Sequence, residues 1–79
     1  MHTTDKTVLE HIEHLVTEEK ELYGRGTMTD AERERLTTIN VELDRCWDLL
    51  RQRRALREFG RNPDEAEMRP AGIVENYRG

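Results

Sequence analysis

The chain has 79 residues, 34% of them hydrophobic and 38% charged, and its formal net charge is -4 at pH 7. That length allows one small module with little core to bury, and the acidic balance argues against indiscriminate attraction to nucleic acid or to an anionic membrane. No apolar run approaches the ~20 residues that span a bilayer, and a lone cysteine, Cys46, excludes an internal disulfide framework.

At the amino terminus, Met1 to Asp5 show no basic region followed by an apolar one, so the expected location is the cytoplasm, in keeping with the single thiol. From about Asp5 to Tyr23 the spacing predicts a helix. Val8, Leu9, Ile12, Leu15, Val16, Leu22 and Tyr23 recur with helical period and form one broad apolar stripe. Glu19 interrupts that seam near the predicted hairpin tip, where its carboxylate can bend to water. Gly24, Arg25 and Gly26 then break the helix.

A second helix starts at Asp30. Thr29 and Glu32 have the spacing of a capping box, in which each side chain satisfies the other residue's backbone N–H. Leu36, Ile39, Leu43, Cys46 and Leu50 continue the seam, with Trp47 on one edge and Leu49 and Leu56 on the other. Gly60 ends this helix after about Phe59. So short a connection between two periodic helices predicts antiparallel neighbours. The expected fold is therefore all-α: an antiparallel helical hairpin over 1–60, with helices at about 5–23 and 30–59, and a short helical tail over 61–79 packed on the longer second helix. In this register Ile12 sits close to Leu43 and Val8 close to Trp47, and the stretch after about Gln52 lies beyond the first helix.

The tail is expected to cover that overhang near Leu56 and Phe59. Asn62, Pro63, Asp64 and Glu65 have the order of a capped first turn, Pro70 interrupts, and Ile73, Val74 and Tyr77 then offer apolar groups.

Few residues invite chemistry. His11 and His14 stand three apart on the first helix, with Glu10 and Glu18 nearby, but two imidazoles on a polar flank read as solvated side chains, and His2 adds nothing from the chain end. Cys46 lies on the seam and reads as core rather than as a nucleophile, which would need a base and an open, electropositive setting. The many carboxylates lack a concave, water-poor site that would separate their pKa values. No catalytic residue, cofactor or metal is expected. From Arg51 to Arg61 five arginines face one acid, Glu58, whereas residues 1–24 hold two lysines against six acids. The arginines are read first as partners of those acids and of the tail, and second as a site for phosphate or an acidic partner. Trp47 either completes the core or marks the edge of an interface.

The run Leu43-Asp44-Arg45-Cys46-Trp47-Asp48-Leu49-Leu50-Arg51-Gln52-Arg53-Arg54-Ala55 strongly resembles the signature of a small, mainly actinobacterial family, domain of unknown function 2630. Ile12, Leu15-Val16 and Glu18-Glu19 resemble its first helix, and Asn62-Pro63-Asp64-Glu65-Ala66 and Val74-Glu75-Asn76-Tyr77 its tail. The resemblance implies a short bacterial helical protein and brings no established activity to these residues.

Two functions compete on this reading. The first is a non-enzymatic interaction module that self-associates, as a dimer for preference, or binds another protein, through Leu43, Trp47, Leu50 and Leu56. The second is a small regulator whose arginine-rich end, with Arg51, Arg54 and Arg57, engages nucleic acid or a nucleic-acid-associated protein. Neither reading involves a membrane.

Overall fold

Both long helices begin with side chains that satisfy their first N–H groups. The computed structural model describes residues 4–75. Helix α1, Asp5–Gly24, is capped by Thr4, whose hydroxyl accepts from the Thr7 N–H at 3.2 Å while the Thr7 hydroxyl accepts from the Thr4 N–H at 3.0 Å. Helix α2, Asp30–Glu58, starts with the expected box: Glu32 N–H donates to the Thr29 hydroxyl at 3.1 Å, and Thr29 N–H to Glu32 Oε1 at 3.0 Å. Between the helices Gly26 has φ +84°, the left-handed conformation that costs other residues a steric clash. Arg25 then reaches across the turn to Glu32 at 3.2 Å.

The two helices lie antiparallel. At the tip Arg35 grips Glu18 with two N–H groups, the second at 2.7 Å; at the open end Asp5 meets Arg53 at 2.6 Å and Arg57 at 2.9 Å. Val8, Ile12, Leu15 and Leu22 of α1 interdigitate with Leu36, Ile39, Cys46 and Leu49 of α2, and Val16, Met28, Leu43, Leu50 and Ala66 pack at the margins. Ile39 has no exposed surface. Glu19 is half-buried at its place in the seam.

The register agrees with the expected one, and side chains at the open end add detail to it. The stretch after Gln52 is tied to the first helix, because the long stems of Arg53 and Arg57 bring their guanidinium groups back to Asp5. At this end Val8 shares a small cleft with Cys46 and Leu49, and Trp47 is turned outward, 53% exposed.

At the end of α2 the chain reverses in a Schellman turn: Gly60, at φ +73°, donates to the Arg57 carbonyl at 3.1 Å, and Arg61 donates to the Leu56 carbonyl at 2.8 Å. A 3-10 turn, Pro63–Glu65, follows at once, capped by Asn62 Oδ1, which accepts from the Asp64 N–H at 3.0 Å. The tail then runs without regular secondary structure to a last turn of helix, α3, Ala71–Glu75, which buries Val74. Along the way Arg53 donates to the Pro63 carbonyl, Gln52 to the Glu67 carbonyl and Arg45 to the Arg69 carbonyl, at 3.3, 2.8 and 2.9 Å. The tail therefore packs on α2 as expected, bonded along residues 45–53, with Leu56 facing Ala66 across a cleft nearer the helix end. The tight reversal at Gly60 leaves Phe59 outside the fold, 83% exposed. Tyr77, expected to contribute to this packing, lies outside the described residues, as does His2.

The molecule measures 48 × 28 × 19 Å. Its long axis is that of α2, since 29 residues at ~1.5 Å rise give about 44 Å. No described helix is long and apolar enough to cross a membrane.

Candidate interaction surfaces

The hairpin has two flanks, and the tail occupies one. On α1 the tail side carries Thr7 and His11, which line a cleft with Ala66 and Met68; on α2 it carries Arg45, Asp48, Leu49 and Gln52. The opposite flank of α1 presents Leu9, Val16 and Tyr23 at seven-residue spacing. The same flank of α2 carries Leu43, Trp47 and Leu50, at the four- and seven-residue spacing that keeps side chains on one stripe. Leu9 and Tyr23 are 44% and 58% exposed, while Val16, Leu43 and Leu50 are half-buried against the core. Three of the four residues singled out from the sequence, Leu43, Trp47 and Leu50, thus share one open apolar flank. Leu56 does not. Six residues beyond Leu50 it has rotated to the tail side, where it lines a cleft with Ala66.

The arginine-rich segment is divided by the fold. Arg53, 6% exposed, is clamped between the start of α1 and the tail: its Nε donates to Asp5 and its Nη1 to Asp64 Oδ1 at 3.1 Å. These contacts favour the ionised Asp5, and hydrogen bonds from Arg57 and then Arg53 hold its carboxyl below the ordinary value of 3.8. Arg54 pairs with Glu58 at 3.3 Å and Arg61 with Glu65 at 2.8 Å. Of the proposed patch, Arg51 and Arg54 are largely exposed, whereas Arg57 is half-covered through its bond to Asp5.

A buried acid completes this network. Asp48, 1% exposed, accepts from Gln52 at 2.9 Å and Arg69 at 3.1 Å on one oxygen and from Arg51 at 3.4 Å on the other. Neither Asp48 nor Arg53 was singled out from the sequence, although Arg53 stands four residues from Leu49 and seven from Cys46, on the core stripe. The spacing was visible; the charge argued against burial. The pairing of Asp48 with Arg69 has no sequence signal, because the two are 21 positions apart.

Cys46 is buried, as its seam position implied, and burial first, then the nearby Glu42, push its thiol up from the ordinary value. His11 and His14 line separate hollows, the first with Cys46 and Met68, the second with Glu13, Glu18 and Glu21. Among the described residues no three His, Cys, Asp or Glu side chains are grouped to hold a metal ion.

Comparison with known proteins gives the chain its relatives. The family model described as Protein of unknown function (DUF2630) matches residues 4–79. The uncharacterised proteins Rv0898c of Mycobacterium tuberculosis and Mb0922c of Mycobacterium bovis are each 51% identical to it over 80 residues, a match that covers 96% of this chain and 92% of the relative. No solved structure shows significant similarity to it.

Proposed function

We propose that this chain, which belongs to the DUF2630 family, is a non-enzymatic protein-interaction module that pairs with a second copy of itself through the flank left open by the tail. The observation that carries this reading is the exposure of Leu9, Tyr23 and Trp47 on the same flank on which Val16, Leu43 and Leu50 pack against the core. A stripe of this kind on two antiparallel helices is half of a four-helix core, and a two-fold axis lets the same patch serve on both copies. Charge favours the same arrangement, since the acid-rich α1 of one copy can lie beside the arginine-bearing α2 of the other. The non-enzymatic part rests on the titrating groups. Each described group whose pKa is displaced is an ion-pair partner (Asp5, Glu18, Arg35, Arg53), a helix cap (Glu32) or the core thiol of Cys46.

Sedimentation equilibrium tests the pairing. A dimer is expected, converted to a monomer of unchanged helicity by Trp47→Glu, a substitution that the exposure of the indole makes compatible with folding. A wild-type monomer at high micromolar concentration, with a Tm indifferent to dilution, would overturn the proposal.

A further inference from the structure

The tail leaves an open cleft of about 720 Å³ between its own 3-10 turn and the last two turns of α2. Its floor is apolar, formed by Ala55, Leu56 and Ala66, and Phe59 stands at its mouth, 83% exposed. Around the rim are the guanidinium groups of Arg51, Arg61 and Arg69, against the single carboxylate of Glu65. We propose that this cleft docks an acidic peptide segment of a partner protein, one that alternates carboxylates with aliphatic or aromatic side chains.

The chemistry of the rim selects the charge. Arg61 already holds the carboxylate of Glu65 at 2.8 Å and Arg69 that of Asp48 at 3.1 Å, so the guanidinium forks are set for carboxylate geometry. The side chains of Arg51 and Arg61 remain 70% and 65% exposed, within reach of a ligand in the cleft. Around the cleft Arg51, Arg61 and Arg69 exceed Glu65 and the buried Asp48, which Arg51 and Arg69 share, by one positive charge, on a chain whose net charge is -4.

The floor selects the rest. An exposed phenylalanine beside an apolar trough is the arrangement that takes an aliphatic or aromatic anchor, as the centres of peptide-binding sites do. Single-stranded nucleic acid is the poorer fit, because it needs a succession of stacking platforms along a basic groove, and this cleft offers one aromatic ring. The cleft is on the Leu56 side of α2, and the Trp47 flank is on another, so self-association leaves it accessible.

The test uses the full chain, isotopically labelled for amide NMR, and three probes: a short synthetic peptide alternating Asp or Glu with Leu or Phe, its twin with lysine in place of each acid, and oligothymidylate. The acidic peptide is expected to shift the amides of Ala55, Leu56, Phe59 and Ala66 while leaving Leu9, Val16 and Trp47 in place, and to bind more weakly as salt rises. Phe59→Ala should weaken it about tenfold, and Arg61→Glu should do likewise, each with helicity intact. No shift in the cleft, equal binding of the lysine twin, or tighter binding of oligothymidylate to the same amides would each overturn the proposal. Trp47→Glu separates this from the pairing of copies: it should abolish the dimer and leave the peptide-induced shifts unchanged.

Discussion

Among the described residues Asp48 and Arg53 are the two charged side chains that the fold takes out of water, and both serve to fasten the tail. Asp48→Ala removes the acceptor shared by Gln52, Arg51 and Arg69. Breaking a fully buried pair costs about 3–5 kcal/mol, but Arg51 and Arg69 keep some access to water, so a loss of about 2–3 kcal/mol is expected in urea denaturation. A change within the scatter of an ordinary surface substitution would show that the tail is held without this acid. Asp5 gives the pH dependence its sign. Its folded pKa lies below the ordinary 3.8 because the arginines favour the carboxylate, so the stabilisation is fully present above that value and is lost as the pH falls through the folded one. Glu18, held down by Arg35, acts in the same direction. Denaturation midpoints should accordingly be nearly flat between about pH 5 and 7 and fall below about pH 4. Asp5→Asn should lower the plateau and make the acid decline shallower. At this scale sequence reading stopped at residue identity: Arg53 has the position of a core residue and the charge of a surface one, and only the convergence of Asp5 and Asp64 from distant parts of the chain resolves the conflict.

The helices themselves were legible, for reasons that are local. Helical spacing of apolar residues, a box at Thr29 and Glu32, and a glycine at the reversal all act within a few positions, and the observed ends of α1 and α2 fall within one residue of those read from the sequence. Thr29→Ala should cost about 1 kcal/mol, since it leaves first-turn N–H groups of α2 without an acceptor. Gly26→Ala should cost a similar amount, about 1 kcal/mol, because a side chain there is strained at φ +84° even with open space around it. Thermal unfolding of the two variants measures both, and a silent Thr29→Ala would mean that water replaces the cap. The tail was legible only in part. Asn62 and Pro63 announced its first turn, but its path depends on Gly60 reversing the chain abruptly and on polar side chains of α2 that meet its backbone, neither of which has a hydrophobic period. That is why Phe59, expected beneath the tail, stands outside it.

For the whole molecule, the tail's choice of one flank decides what the other can do. Sequence periodicity showed that α2 carries more apolar surface than α1 can cover; it could not say which flank the last residues would take, and Leu56 was therefore grouped with Leu43, Trp47 and Leu50 although it belongs to the opposite side. With pairing through the open flank, stability becomes a function of concentration: the Tm of the wild type should rise with protein concentration, and that of Trp47→Glu should not. The manner in which the tail is moored has a consequence for its tolerance of change. Arg45, Gln52 and Arg53 grasp peptide carbonyls of residues 69, 67 and 63, groups that every amino acid possesses, and Gln52 also takes the N–H of Glu67. That part of the grip is written into the helix and is blind to the letters of the strap that it holds, whereas Asp64 and Arg69 are held by their side chains, so the strap's other outward side chains can drift while the mooring stays the same.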